Sequence, residues 1–151
     1  MAPGRSAVGE LTRRLLAQWS GPDDGPQAAA AAGRDACDAV SAEFSRWVGS
    51  RGYEALIFRA MAEVRPTHPA LEEIRFSPPA RPALVGMEDS IERFGAAATA
   101  KAFTALLESI LALCDRLIGD DIVTTLVEKA MEHAAHGAAG QRRNLESRTG
   151  S

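Results

Sequence analysis

The chain has 151 residues, of which 46% are hydrophobic and 25% are charged, and its formal net charge at pH 7 is −3. This length suits one domain with a real hydrophobic core and leaves no room for two comfortable ones. The negative net charge argues against a general nucleic-acid binder, because binding to phosphates depends on clustered cations, which this chain lacks outside its C-terminal tail.

The composition also bears on source and location. Arginine supplies almost all of the positive charge, since Lys101 and Lys129 are the only lysines, and alanine is abundant. Such a composition is typical of proteins from GC-rich bacterial genomes. No apolar run reaches the roughly 18 residues that a membrane span needs, and the N-terminal residues MAPGRSAVGE lack the hydrophobic core of a signal peptide. We therefore expect a cytoplasmic bacterial protein.

Three amphipathic helices are predicted in the first half of the chain. Residues 6–20 form the first, and the linker 21–27 ends it, because two prolines and two glycines cannot continue a helix. The second spans roughly Arg34–Val48, and the third follows a turn at Gly49–Gly52 and stops at Pro66. Apolar residues recur at steps of three or four in each helix: Val8, Leu11, Leu15 and Trp19; Cys37, Val40, Phe44, Trp47 and Val48; Tyr53, Leu56, Ile57, Ala60, Met61 and Val64.

The middle of the chain is rich in proline. A short helical piece from Pro69 to Ile74 is followed by the loop 76–86, which contains three prolines and is expected to be extended. Its PxxP pattern, Pro79 to Pro82, could be recognised by a groove on a partner. A simple connection across one end of a helical bundle is the plainer interpretation. The helical pattern resumes at Glu88.

The segment Phe103–Ala134 has the most regular apolar spacing and is predicted to form two helices broken at Gly119. Gly119 is expected to take a left-handed C-terminal cap conformation, and Asp120 to cap the next helix. The first of the two helices has few polar positions, so it should be the buried central helix of a bundle. Its main apolar stripe consists of Phe103, Leu107, Ile110, Cys114 and Leu117.

These elements predict an all-α fold, a single-domain bundle of five or six helices over residues 1–136 with the Pro-rich loop 76–86. Residues 137–151 are expected to form a flexible tail. No internal repeat and no strand-length alternation of apolar and polar residues is visible. Cys37 and Cys114 lie within helical apolar patterns, which favours small buried side chains over a disulfide or a metal pair.

Several short stretches resemble an uncharacterised family of small stand-alone all-helical bacterial proteins. The likeness covers roughly residues 40–134. It rests on packing and hinge residues: Trp47-Val-Gly-Ser-Arg-Gly-Tyr-Glu-Ala-Leu56, Arg59-Ala60, His68-Pro69, Leu106-Leu107, Leu117-Ile-Gly-Asp-Asp121 and Leu126-Val127. The resemblance implies a helical fold and a bacterial origin. It supplies no catalytic or binding residue.

The last predicted helix carries the strongest candidates for metal binding, Glu128, Glu132, His133 and His136. The two histidines lie one turn apart and could share an ion. The chain has neither a Glu-x-x-His pair nor a His-Glu-x-x-His motif. Solvated histidines near a helix C-terminus, where positive charge is favourable, are the preferred interpretation. No metal and no cofactor is predicted.

The stretch His133-Ala-Ala-His136-Gly137-Ala-Ala-Gly140 looks like the phosphotransfer-histidine motif of bacterial phosphorelays. His133 would be the phosphorylated residue, and Gly137 would leave room for a receiver domain. Two departures count against this function. His136 occupies the position of the expected lysine, and the motif lies near the end of the chain instead of on an early helix.

The leading functional hypothesis is a non-enzymatic helical interaction or regulatory protein, signalling-associated and able to form a homodimer. It follows from a wide apolar helix surface and from the lack of a local catalytic motif. The expected partner is a protein or a second copy, with no nucleic acid and no membrane. The alternatives are the His133 phosphotransfer module and a small enzyme or ligand-binding bundle. The site of the latter would lie near the Pro-rich loop, formed by Tyr53, Arg59, His68 and Glu72.

Overall fold

A computed structural model of the chain describes residues 3–19, 25–77 and 83–132. It confirms an all-α bundle. The helices are α1 (Pro3–Trp19), α2 (Pro26–Val48), α3 (Ser50–Val64), α4 (Met87–Phe94), α5 (Ala96–Ile118) and α6, whose described part covers residues 120–132. A 3-10 turn at Pro69–Glu73 and two strands, β1 (Arg75–Phe76) and β2 (Leu84–Val85), connect α3 to α4.

The predicted Pro-rich loop is closed at its base by an antiparallel ladder. Arg75 pairs with Val85 and Phe76 pairs with Leu84. The Ala83 amide donates a hydrogen bond of 2.8 Å to Asp38 Oδ1, which ties the loop to α2. Each strand has only two residues, too few to show alternation in the sequence, and the ladder does not change the all-α fold. The PxxP residues Pro79 to Pro82 lie outside the described residues.

Helix boundaries differ from prediction in the first half. The first helix begins at Pro3, and its apolar residues Val8, Leu11 and Leu15 are buried as predicted. The side chain of Trp19 lies outside the described residues. The second helix begins at Pro26 instead of Arg34, since Ala30 and Ala32 are buried and anchor the alanine-rich turns.

The core forms around α2 and α5. Phe103, Leu107, Ile110 and Cys114 are buried, which confirms α5 as the central helix. By length and composition α5 could also cross a membrane, a test that the core helix of a soluble protein commonly passes. A Cβ added at Gly33 of α2 would lie 2.6 Å from Phe103 Cβ, so the two helices approach very closely at this point.

Single glycines form the corners between consecutive helices. Gly49, Gly95 and Gly119 share φ values of 86°, 93° and 91° and ψ values of 154°, 155° and 158°. Gly119 has the positive φ expected of it, but its ψ lies outside the left-handed helical region. Its N–H donates to Asp115 O and its carbonyl accepts from Val123 N, so it ends α5 and caps the next helix itself. The prediction that Asp120 is that cap is wrong.

The other two corners also correct the sequence analysis. The predicted Gly49–Gly52 turn is reduced to Gly49 alone, and α3 begins at Ser50. The helical pattern that resumes near Glu88 is divided at Gly95 into α4 and α5. Gly49 thus replaces a longer predicted turn, and Gly95 interrupts a helix that was predicted to continue; both have a backbone conformation nearly restricted to glycine.

The structure contains a repeat that the sequence analysis failed to detect. The helices α2 and α5 are both 23 residues long, and their first residues, Pro26 and Ala96, are 70 positions apart, as are Gly49 and Gly119. Positions 41–50 and 111–120 have the same sequence of buried, intermediate and exposed residues. The second helices match as well: Tyr53, Leu56, Ile57 and Ala60 correspond to Val123, Leu126, Val127 and Ala130, and all of these are buried. The chain therefore holds two copies of a helix–glycine–helix unit.

Candidate interaction site

The candidate enzymatic site near the Pro-rich loop is not assembled. Tyr53 is fully buried, and its hydroxyl shares a hydrogen bond of 2.8 Å with Ser41 Oγ. Burial raises the pKa of Tyr53 well above its usual value, so this hydroxyl stays protonated. Its ring packs against Phe76, with ring centroids 6.0 Å apart. Tyr53 is a core residue.

The other three members of that candidate site have separate surroundings. Arg59 is exposed on α3 and lies 3.7 Å from Glu63. Glu72 is exposed and lies 3.8 Å from Arg93, which also binds Glu73 at 2.6 Å. His68 is half-buried beside a shallow depression on α5 whose other lining residues are Ala100, Lys101, Thr104, Ala105 and Glu108. The sequence analysis grouped these residues by their distance along the chain, and their side chains do not converge.

The two cysteines are buried free thiols, as predicted. Burial raises the pKa of both, to about 12 for Cys114. The Cys37 thiol faces the Phe103 carbonyl at 3.8 Å, inside the contact between α2 and α5. Neutral thiols of this kind are poor nucleophiles and poor metal ligands, so both cysteines act as core side chains.

The phosphotransfer and metal candidates His133, His136 and Gly137 lie outside the described residues. Glu128 and Glu132 are exposed on α6. Within residues 3–19, 25–77 and 83–132, no three His, Cys, Asp or Glu side chains are grouped in a way that could hold a metal ion.

A shallow depression shows how the two repeats are arranged. It is lined by residues from the first turns of both α2 and α5: Gly25, Pro26, Ala28, Ala29, Ala97, Ala100 and Lys101. The two helices therefore begin at the same end of the molecule. Further along, Gly33 and Cys37 of α2 contact Phe103 of α5, so the two helices run side by side. Because both are 23 residues long, their last turns share the opposite end.

Two large apolar side chains are exposed at that opposite end. Trp47 is 53% exposed and Leu117 is 70% exposed, and they occupy equivalent positions in the two repeats. Both were predicted to continue a buried stripe, and this prediction is wrong. Phe44 and Cys114, one turn earlier, are still in the core. In the last turn of each helix Val48 and Ile118 pack against the core, whereas Trp47 and Leu117 lie on the side of the helix that faces solvent. We call Trp47, Leu117 and the residues that flank them, 45–52 and 115–122, the corner face.

The two halves of the corner face carry opposite charge. Residues 45–52 contain two arginines and no acidic residue, a formal charge of +2. The equivalent residues 115–122 contain three aspartates and one arginine, a formal charge of −2. A hydrogen bond with Asp120 raises the pKa of the Asp115 carboxyl, with smaller contributions from burial and from the charge of Asp120. The acidic half thus holds two carboxyl groups close together.

No protein-family model, curated protein or solved structure matches the chain. The resemblance to small stand-alone bacterial helical proteins therefore stays a prediction. The corner face was missed in the sequence because its apolar residues follow the same periodicity as core residues. A comparison of 45–52 with 115–122 was the available signal: both stretches hold a central glycine preceded by two large apolar residues and an arginine.

Proposed function

We propose that this chain is a non-enzymatic, regulatory interaction protein of the bacterial cytoplasm that forms a homodimer through its corner face. The observation that carries the proposal is the exposure of Trp47 and Leu117 at equivalent positions of the two repeats. Large aromatic and apolar side chains that are accessible in the monomer are typical centres of protein interfaces. A second copy is the chosen partner because the face combines an apolar centre with charges of both signs, as a self-complementary surface requires.

The form of the proposed interface differs from the one expected from sequence. The wide apolar face of the helix around Phe103 is buried against α2 and other helices, so it is not available to a partner. Leu117 is the member of that stripe that remains accessible. Self-association is therefore proposed at the end of α5 and not along its length.

Sedimentation velocity at tens of micromolar tests the proposal. We expect the wild-type chain to sediment as a dimer and the double variant Trp47→Ser/Leu117→Ser to sediment as a monomer. Circular dichroism should show the same helix content in both, since the substituted side chains lie mostly outside the core. The matched control is Phe58→Ser, which removes an apolar side chain of similar exposure, 51%, from the surface of α3.

The control should leave the dimer intact. A wild-type chain that stays monomeric at the highest concentration reached would contradict the proposal. A Phe58→Ser variant that dissociates as fully as the double variant would place the interface elsewhere.

A further inference from the structure

We infer that the two copies meet with the basic half of one corner face on the acidic half of the other. This inference rests on the proposed dimer and specifies its geometry. Trp47 of each copy would then contact Leu117 of the other, and Arg46 and Arg51 would face Asp115, Asp120 and Asp121.

The starting point is that both halves of the face lie at one end of the molecule. The depression that joins Gly25 and Pro26 to Ala97 and Lys101 fixes the starts of α2 and α5 at the other end. The contacts of Gly33 and Cys37 with Phe103 keep the two helices side by side, and their equal length brings their last turns to the same end. A second copy that covers this end therefore contacts both halves at once.

A twofold axis at this end allows two arrangements. In the first, each half covers its own counterpart, so that Trp47 meets Trp47 and Leu117 meets Leu117. In the second, the basic half of each copy covers the acidic half of the other copy, so that Trp47 contacts Leu117 at two equivalent places. Both arrangements are closed and isologous, and both bury the same apolar side chains. The apolar contacts alone do not choose between them.

The charges of the two halves distinguish between the two arrangements. The first arrangement places +2 against +2 and −2 against −2. The second places +2 against −2 twice. Because like charges facing each other across an interface are strongly unfavourable, electrostatics selects the second arrangement.

The carboxyl groups of the acidic half also favour a partner surface that carries positive charge. The carboxyl groups of Asp115 and Asp120 are near enough to interact, and a hydrogen bond between them requires one of the two to hold a proton. Among the residues that the structure describes, neither Asp120 nor Asp121 forms an ion pair. In the basic half, Arg46 lies 4.0 Å from Glu43, whereas Arg51 has no ion pair within that part of the chain. The basic half of a second copy brings Arg51 to the aspartates of the acidic half.

Charge reversal with rescue tests the arrangement. We expect Arg51→Asp and Asp121→Arg each to weaken the dimer at least about tenfold in sedimentation equilibrium. The double variant Arg51→Asp/Asp121→Arg returns opposite charges to positions 51 and 121 of the two copies and should recover part of the affinity that either single variant loses, although the formal charge of each half is then zero. Both positions are exposed, and unchanged circular dichroism would confirm that each variant is folded. The matched control is Lys101→Asp, an equal change of charge at the other end of the molecule.

Three results would overturn the inference, and they separate it from the proposed function. If the wild-type chain dimerises and the single reversals have no more effect than Lys101→Asp, the dimer stands but charge does not orient it. If each single variant strengthens the dimer and the double variant strengthens it further, each half meets its own counterpart, because each reversal brings the formal charge of its half to zero. If the wild-type chain is monomeric, the proposed dimer and its geometry both fail.

Discussion

Substitution of Gly33 by alanine has two opposite effects on the free energy of unfolding: a gain in helix propensity and a steric clash. Gly33 lies inside α2, where alanine is favoured over glycine by about 1 kcal/mol. The added Cβ would lie 2.6 Å from Phe103 Cβ, well inside an ordinary carbon–carbon contact. Neither atom can move by a rotamer change, because each is fixed to its own backbone. The two central helices would have to separate.

Overpacking of this kind costs about 1–3 kcal/mol, and the rigid contact places this case near the upper end. The net effect of Gly33→Ala should be a loss of about 2 kcal/mol in the free energy of unfolding. For a chain of this size that corresponds to a fall in Tm of about 4–8 °C. Chemical denaturation and thermal unfolding followed by circular dichroism would measure it.

Gly52→Ala is the matched control. Gly52 lies within α3, and its added Cβ would make ordinary contacts of 3.8 Å with Val48. Only the helix-propensity gain remains, so Tm should rise by about 2–4 °C. If Gly33→Ala stabilised the protein as Gly52→Ala does, the close approach of α2 and α5 would be wrong.

Three further outcomes are expected. Leu113→Asp places an unpaired charge in the core and should unfold the chain. Leu117→Asp, at an exposed position four residues later, should leave the chain helical. Equal helix content in the two variants would refute the core assignment. At protein concentrations where the chain is monomeric, Asp115→Asn should raise Tm at neutral pH. The raised pKa means that the folded state binds this proton more tightly than the unfolded state, so the stability contributed by Asp115 falls as pH rises through that pKa. The gain should shrink as pH falls below the usual carboxyl pKa of 3.8, where both states take up the proton, and a lower Tm at pH 7 would contradict the interaction with Asp120 as the main cause of the raised pKa. After incubation with a small phosphodonor, the wild-type chain should carry no acid-labile phosphate. Acid-labile phosphate that appears on the wild-type chain and is lost in His133→Gln would favour the phosphotransfer alternative.

The buried part of the fold followed well from the sequence. The stripe Phe103, Leu107, Ile110 and Cys114 predicted the central helix because periodicity reports which residues share a face. The same periodicity failed at Trp47 and Leu117, since it allows a step of three or of four after Phe44 and Cys114, and only the step of four, to Val48 and Ile118, leads to a residue packed against the core. The loop ladder at Arg75 and Val85 was too short to produce a pattern.

The repeat was hidden for a different reason. The two units share a few identical residues, such as Arg46 with Arg116 and Met61 with Met131, and they differ at most other positions. Their likeness lies in helix length, in burial and in the backbone angles of Gly49 and Gly119. The candidate site depends on comparing those equivalent positions, so it became recognisable only with the repeat in place.

Fluorescence of Trp47 reports directly on the proposed interface. Trp19 and Trp47 are the only tryptophans, so Trp19→Phe leaves Trp47 as the single reporter. We expect acrylamide quenching of Trp47 to decrease as protein concentration rises through the dimerisation range followed by sedimentation, because the partner covers the exposed indole. Quenching that stays constant while the dimer forms would show that Trp47 lies outside the interface and would contradict the assignment of the corner face.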